Sequence, residues 1–216
     1  MNNGNKGFFI SFEGNDGSGK TTQIRLLTQW FEQCGRAVLL LREPGGTVIG
    51  EKVRDILLDN ASKGMEPVTE MLLYAASRAQ LMRTVIKPAL DRGDVVICDR
   101  FVDSSYAYQG YGRKLGLETV RMINLAAIDG QMPHLTFFLD LDADTSMFRR
   151  NASGMEADRL ENEAMDFHRR VYEGYRKLCE ESGDRMKRIP VMNGTVQRTQ
   201  EDVALEIRGL VMELLS

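Results

Sequence analysis

The sequence predicts a single α/β domain in which helices cover both faces of a five-stranded parallel sheet. Its 216 residues fit one domain and are enough to bury a sizeable core. Hydrophobic residues make up 43% of the chain and charged residues 27%, which excludes a disordered or low-complexity protein. Short apolar runs alternate along the chain with longer stretches of helical periodicity, the order typical of a sheet between layers of helices.

Five short apolar runs predict the strands. They occupy residues 8–12, 37–41, 95–98, 135–141 and 188–192. The first four are rich in β-branched or aromatic residues and do not alternate, as in strands buried on both faces of a parallel sheet. The fifth contains Pro190, which lacks an N–H group, so this strand is expected at an edge of the sheet.

Stretches with apolar residues three or four positions apart predict the helices. They occupy residues 22–33, 48–58, 66–92, 119–130, 161–182 and 199–215. Pro88 is expected to kink or divide the third helix, because proline cannot donate to the preceding turn. Residues 151–156 are small and polar and contain a glycine, so a mobile loop is expected there.

Charge and cysteine content exclude several classes of protein. The formal net charge is −3, whereas nucleic-acid binding calls for a basic surface. Cys34, Cys98 and Cys179 are odd in number and far apart, so neither a disulfide framework nor a zinc site is predicted. No apolar stretch is long enough to span a membrane, and the N-terminus lacks the apolar region of a signal peptide. A cytoplasmic protein that binds neither nucleic acid nor membrane is therefore expected.

A glycine-rich segment carries the strongest chemical signal. Residues 14–21 match G-x-x-x-x-G-K-[ST], follow an apolar run and open an amphipathic helix, as a phosphate-binding loop does. Backbone N–H groups and the helix N-terminus attract phosphate oxygens. Lys20 can reach the β- and γ-phosphates, and the Thr21 hydroxyl can ligate Mg²⁺. The predicted nucleotide-binding residues are Gly14, Asn15, Asp16, Gly17, Ser18, Gly19, Lys20 and Thr21.

This motif alone indicates a P-loop nucleotide-binding protein and leaves kinases, GTPases and ATPases open. The N-K-x-D guanine motif of GTPases is missing after the late strands. Asp99 and Arg100 follow the third predicted strand, at the sheet edge where α/β proteins bind ligands. Asp99 can hold Mg²⁺, and Arg100 can bind a second phosphate group.

Two further clusters are compatible with either a ligand site or an ordinary structural role. Tyr74 and Arg78 lie four residues apart on one helix face, where they could hold a nucleobase or form a core tyrosine beside a salt-bridged arginine. Arg149, Arg150 and Arg159 flank the polar loop. They could form a cationic lid over phosphates, at about 149–161, or a solvated charged face.

Taken together, these segments resemble the thymidylate kinase family. The resemblance covers nearly the whole chain, from FFISFEGNDGSGKTTQ through REPGGT, LYAASRAQL, DRFVDSSYAYQGYGR and PHLTFFLDLD to ADRLE. REPGGT and the pattern DR[FYH]…SS.AYQG are hallmarks that other P-loop kinases lack. The resemblance implies a P-loop kinase fold and transfer of the γ-phosphoryl group of ATP to dTMP, in dTTP biosynthesis. It also implies Mg²⁺ with ATP and a homodimer packed through helices.

The resemblance further implies a set of residues for the acceptor. Asp16 falls near the sugar 3′-hydroxyl, Arg54 and Arg100 match arginines on the acceptor's phosphate, and Tyr74 stands where the family usually stacks a phenylalanine on thymine. The whole implied set is Asp16, Glu43, Arg54, Tyr74, Arg78, Arg100, Ser105 and Gln109. Within it, Arg78, Ser105 and Gln109 match residues that read the thymine edge.

Members of the family differ in the position of their catalytic cation. Positions 15–18 hold no cation here, which resembles the bacterial members that carry basic residues in the lid. Arg150 is expected to be the main lid cation and Arg159 the second, although Asp158 and Glu161 could instead hold Arg159 in a structural ion pair. With Lys20 and Arg100, these arginines complete the predicted catalytic set.

Two other functions remain open at this stage. One is another P-loop kinase acting on nucleosides or nucleotides, and the other is a nucleotide-dependent switch or binding protein. A kinase of free nucleosides has no need for two arginines, Arg54 and Arg100, at the acceptor end.

Overall fold

A five-stranded parallel sheet forms the centre of the protein, as the sequence predicts. The computed structural model describes residues 7–152, 154 and 156–215. The strands are β1 (Phe8–Glu13), β2 (Val38–Arg42), β3 (Val95–Asp99), β4 (Leu135–Asp140) and β5 (Met186–Pro190). Their order across the sheet is β2-β3-β1-β4-β5, with every neighbouring pair parallel. A short hairpin of β6 (Met192–Asn193) and β7 (Val196–Gln197) follows the sheet.

Of the predictions for the two edge strands, the edge position of β5 is confirmed and the full burial of β2 is wrong. β5, with Pro190 at its end, lies at an edge as expected. β2 lies at the opposite edge and is only partly buried, with Leu40 48% exposed, so the prediction that it is buried on both faces was wrong. An apolar run without alternation shows that a strand is apolar, but it does not show which neighbours the strand has.

The helices are α1 (Lys20–Gln33), α2 (Val48–Leu58), α3 (Pro67–Leu81), α4 (Lys87–Asp91), α5 (Val102–Ser105), α6 (Leu117–Ala127), α7 (Ala143–Ala152), α8 (Met165–Glu181) and α9 (Gln200–Leu215). A 3-10 turn covers Asn60–Ser62, and π-helical turns cover Met82–Ile86 and Tyr106–Gly112.

Three helical segments differ from the sequence expectations. The predicted helix 66–92 changes to π-helical turns before Pro88, which then lies in the first turn of α4, where its missing N–H costs little. α5 with its glycine-containing π-helical extension and the mostly polar α7 were not predicted, because their sequences lack an apolar stripe. α7 also continues through Ala152 into the expected loop 151–156, of which residues 153 and 155 lie outside the described part of the chain.

Two hydrophobic clusters, one on each face of the sheet, position the site. Phe9 on β1 points to the cluster shared with α3, α6 and α8, and Ile10 points to the cluster shared with α1 and α9. Cys98 is fully buried in the first cluster, as predicted. Because the strands are parallel, the segments that follow β1, β2 and β3 all emerge at the same edge. In the described residues, no helix is both long and apolar enough to cross a membrane.

Candidate active site

A cleft of about 500 Å³ lies at the edge where β1, β2 and β3 end. It brings together most of the residues that the sequence singles out. Those lining it are Asp16, Gly17, Gly19, Lys20, Thr21, Glu43, Arg54, Tyr74, Arg78, Asp99, Arg100, Ser105, Gln109, Arg149 and Arg150. Gly14, Asn15 and Ser18 form the frame of the phosphate loop behind this surface, and Arg159 lies elsewhere.

The phosphate loop folds around the ammonium group of Lys20. Gly14 opens the loop with a φ of +129°, and a Cβ there would lie 2.6 Å from the carbonyl oxygen of Leu139, so glycine is required. Lys20 donates to the carbonyl oxygens of Gly14 and Asn15, both at 3.0 Å. Its Nζ also lies 3.5 Å from a carboxylate oxygen of Asp16. Burial lowers the pKa of Lys20.

Helix α7 holds the tip of this loop from outside. Ser146 donates to the carbonyl oxygen of Asp16 at 2.5 Å, and Arg149 donates to the carbonyl oxygen of Gly17 at 3.2 Å. Arg149 also donates to Gln197 on the hairpin at 3.2 Å. The contacts of Arg149 therefore join the phosphate loop to the segment that follows β5.

The side chains beside Lys20 fit a hydrated divalent cation. Oδ1 of Asp99 is buried and finds no hydrogen-bond partner among the residues described, and Thr21 lines the same cleft. Within that part of the chain, no group of three or more metal-ligating side chains comes together. Mg²⁺ is usually held by one or two carboxylates together with phosphates and water, so this sparse donor set is suitable for it.

Arg100 lines the cleft beside Asp16 of the phosphate loop. It has a φ of +65°, uncommon for a residue with a side chain. Its guanidinium donates to Asp16 at 2.8 Å and to the Tyr175 hydroxyl at 3.2 Å, and it lies over the ring of Tyr108. Burial alone would raise the pKa of Asp16, but the charges of Arg100 and Lys20 outweigh it and hold that pKa well below its ordinary value.

A buried carboxylate behind Arg100 was missed by the sequence analysis. Glu13, the last residue of β1, is fully buried and accepts hydrogen bonds from the Phe101 N–H at 2.7 Å, Ser104 at 2.6 Å and Tyr175 at 2.9 Å. Burial and the charge of Asp103 raise the pKa of Glu13 to about 7. An acidic residue that ends a strand predicted to be buried, directly before a phosphate loop, is the signal that could have identified it.

Arg78 is held in a buried network. Its side chain is 1% exposed, and its Nε and Nη2 both contact one carboxylate oxygen of Glu43, at 2.8 and 2.6 Å. Nη1 donates to Ser105 and Asn124, and Nη2 donates to the carbonyl oxygen of Phe101. Four of the five N–H donors of the guanidinium are thus hydrogen-bonded to the protein, and Nη2 also faces Glu43 in the ion pair. Burial raises the pKa of Glu43 to about 7, although Arg78 opposes this.

This network bears on the two interpretations of Tyr74 and Arg78. Both side chains line the cleft from one face of α3, as the four-residue spacing predicts. The arginine nevertheless forms the ion pair of the structural alternative, so a base reaches its N–H groups only by exchanging with protein acceptors. Tyr74 is partly buried and lines the cleft.

Glu70 forms a second buried ion cluster beneath the cleft. It is 0% exposed and accepts from Gln109 at 2.9 Å and from Arg113 at 2.9 and 3.1 Å. Nη2 of Arg159 lies 2.8 Å from the Glu70 carboxylate, in a charge contact without hydrogen-bond alignment.

The two lid arginines occupy different places. Nη1 of Arg150 donates to the carbonyl oxygen of Glu161 at 2.9 Å and lies 3.8 Å from its carboxylate, and the side chain lines the cleft. Arg159 is buried, donates to the carbonyl oxygen of Leu57 at 2.7 Å and pairs with Glu70. The suggestion that Asp158 or Glu161 holds it in an ion pair was wrong, because the chain turns it under the cleft toward α2 and α3.

The phosphate loop, Arg54 and Arg100 line one continuous volume. A phosphoryl group can pass directly between two ligands only when they share such a volume. The fold and the cleft therefore define a P-loop nucleotide kinase.

Comparison with known proteins names the family. Residues 12–203 match the protein family described as thymidylate kinase. The thymidylate kinase of Thermoanaerobacter sp. (strain X514) is 56% identical over 176 residues, covering 82% of this chain and 85% of that protein. The thymidylate kinase of Lactobacillus delbrueckii subsp. bulgaricus is 49% identical over 203 residues, covering 93% and 95%. The crystal structure of thymidylate kinase from Ehrlichia chaffeensis superposes with a TM-score of 0.78 at 33% identity, covering 95% of this chain and 99% of that one. The chain belongs to the thymidylate kinase family.

Proposed function

We propose that ATP and dTMP occupy the two ends of the cleft, with the γ-phosphate of ATP between them. The reaction is ATP + dTMP → ADP + dTDP, the activity for which the family is named. The observation that carries the proposal is the shared volume, in which the phosphate loop faces Arg54 and Arg100. Because the nucleophile is an anionic phosphate oxygen, positioning and charge neutralisation matter more than a general base.

At the donor end, residues 14–21 hold the phosphates of ATP. Lys20 exchanges its loop carbonyl partners for β- and γ-phosphate oxygens. Thr21 and Asp99 hold Mg²⁺, and the unpartnered buried oxygen of Asp99 supports this assignment. When bound, Mg²⁺ neutralises charge on the phosphates.

At the acceptor end, Arg54 and Arg100 bind the phosphate of dTMP, and Asp16 lies by the sugar 3′-hydroxyl. Tyr74 stacks on thymine, while Gln109 and Ser105 lie along the thymine edge. Glu43 and Arg78 form the buried floor of this pocket, because each engages the other rather than projecting freely into the cleft.

Lys20, Arg100 and Arg150 supply the positive charge for the transferring phosphoryl group. Arg150 lines the cleft, and it reaches the phosphates by exchanging its contacts with Glu161, Met147 and Asn151. We assign Arg159 to the Glu70 cluster instead, since its side chain is buried away from the cleft.

The outer faces of α2, α3 and α6 support assembly into a homodimer. These helices pack side by side and expose apolar side chains that no neighbouring element of the described structure covers. They are Val48, Ile49, Ile56, Val68, Leu72, Met122 and Leu125. Leu72→Glu should convert a dimer into monomers in sedimentation, while Met212→Glu, on the exposed face of α9, should not.

The three cysteines are free thiols, which suits the reducing cytoplasm.

An acceptor panel tests the proposed reaction. ADP release is measured with ATP, Mg²⁺ and, in turn, dTMP, dUMP, thymidine, UMP, CMP, GMP and AMP. Strong preference for dTMP is expected, with no turnover of thymidine because it lacks the phosphate that Arg54 and Arg100 bind. Turnover of thymidine with none of dTMP would instead indicate a nucleoside kinase, and hydrolysis independent of any acceptor would indicate a switch protein.

A further inference from the structure

We propose that Glu70 selects the pyrimidine that the site accepts, by fixing the orientation of the Gln109 side-chain amide. This inference rests on the proposed function, because it requires Gln109 to lie along the base of the acceptor. It assigns a specificity role to a carboxylate that itself does not touch the substrate.

The geometry around Gln109 leaves its amide little freedom. The residue lies in the π-helical turn Tyr106–Gly112, is 1% exposed and lines the cleft. Its Nε2 donates to Oε1 of Glu70 at 2.9 Å. Glu70 is not part of the cleft surface, so the amide nitrogen points behind that surface. The carbonyl oxygen of the same amide is directed away from Glu70 and is left for the ligand.

The charge of Glu70 makes this orientation obligatory. A carboxylate accepts hydrogen bonds and cannot donate one, so only the NH₂ side of an amide can face it. Arg113 and Arg159 keep the group ionised. Burial alone would raise the pKa of Glu70, but the hydrogen bonds from Arg113 and Gln109 and the nearby positive charges lower it. Turning the amide over would place two oxygen acceptors against each other in a buried site, at a cost typical of an unsatisfied polar group.

An amide that presents only its oxygen discriminates between pyrimidines at N3. Thymine and uracil carry a hydrogen on N3 and can donate it to that oxygen. Cytosine carries a lone pair on N3, so two acceptors would meet and the base would be rejected. This contact does not distinguish bases by their 5-methyl group. It favours thymine and uracil over cytosine.

The arrangement also gives Arg159 and Arg113 a function. Arg159 belongs to the segment that follows α7, and Arg113 to the turn after Gln109. Both bind the carboxylate that orients the amide. Glu163 also pairs with Arg113, at 2.6 Å, but has no contact with Gln109. Replacing Glu163 therefore removes one carboxylate partner of Arg113 without removing the partner of the amide, which makes it a matched control.

The test compares dTMP with 5-methyl-dCMP, which differs from it only at the N3 and C4 edge. We expect the ratio of kcat/KM for the two acceptors to fall about tenfold or more in Glu70→Gln, because glutamine can donate to the Gln109 oxygen and release the amide. In a Gln109→Met background, Glu70→Gln should leave the ratio unchanged, since a positioning residue acts only through its partner. Glu163→Gln should keep the wild-type ratio.

Folding is followed by thermal melting, because Glu70→Gln removes a buried counter-charge. If that variant does not fold, Glu70→Gln with Arg159→Met is compared with Arg159→Met alone, since the pair removes one charge of each sign. A folded Glu70→Gln protein, or the folded charge-balanced pair, that keeps the full preference for dTMP overturns the inference and leaves the proposed reaction standing. A wild-type protein that does not phosphorylate dTMP overturns the proposed reaction itself.

Discussion

The proposed donor end and the proposed acceptor end of the cleft are built on different principles. The donor end is one continuous segment, residues 14–21, which offers backbone groups and Lys20 to a phosphate. The acceptor end uses side chains from elements far apart in the chain, held by the buried carboxylates Glu13, Glu43 and Glu70. A phosphate is recognised by closely spaced N–H groups, which a short loop supplies, whereas a base and a sugar need groups from several directions.

The largest expected effect lies at the donor end. Lys20→Ala should lower kcat by about 10³-fold or more, because it removes a preorganised positive charge from the transferring phosphoryl group. The variant should still fold, but loss of the buried contacts with Gly14 and Asn15 should lower the melting temperature by about a few degrees. Steady-state kinetics and a thermal melt are measured together, with Lys63→Ala, at an exposed position after α2, as the control. Near-normal turnover in a folded variant would remove the phosphate-loop mechanism.

Variants of the lid arginines test which of them supplies positive charge to the transferring phosphoryl group, between the two ends of the cleft. Arg150→Ala should lower kcat about a hundredfold with smaller changes in either KM, because an interaction made mainly in the transition state appears in kcat. Arg149→Ala should be milder, since its donors are engaged by Gly17 and the hairpin. If Arg150→Ala kept full kcat, the lid would be a cover and its cation would have to be supplied elsewhere.

Replacing Tyr175 tests whether its hydroxyl holds Arg100 in place for the acceptor. Its hydroxyl joins Glu13 to Arg100, so Tyr175→Phe should raise the KM for dTMP about tenfold and leave the KM for ATP unchanged, as expected for one hydrogen bond to a charged group. Tyr172→Phe is the matched control, because this ring also packs on Phe138 from α8 while its hydroxyl faces Asp140. Equal effects of the two substitutions would mean that only ring packing matters.

The smallest effect concerns stability rather than turnover. Burial raises the pKa of Glu13 from an ordinary 4.5 to about 7. Between these values the folded protein keeps a proton that the unfolded chain loses, so the free energy of unfolding should fall as pH rises through this window.

Glu13→Gln should make that slope shallower, and Glu43, whose pKa is also raised to about 7, should maintain the remainder. Urea midpoints at pH 5, 6, 7 and 8 measure both slopes. Identical slopes for the wild type and Glu13→Gln would show that Glu13 is ionised in the folded protein throughout.

The difference between the two ends also explains which parts of the structure could be predicted from the sequence. The phosphate loop is one continuous segment, so its residues, the strand before it and the helix after it could all be predicted from local sequence. α5 and α7 were missed, because their sequences lack periodicity and they are ordered by contacts with α8 and with the phosphate loop. Arg159 was placed in the lid by its position in the chain, but its buried pairing with Glu70 depends on a residue 89 positions earlier.

By itself, the sequence determined what depends on short-range pattern: the parallel sheet, the phosphate loop and the hallmark segments of the family. Only the tertiary structure decided which carboxylates are buried and which arginines they hold. The burial of Glu13, Glu43 and Glu70 is set by packing among distant helices and strands. Electrostatic interactions strengthen as water is excluded, so the same residue types are solvated charges on a surface and fixed orienting groups in this interior.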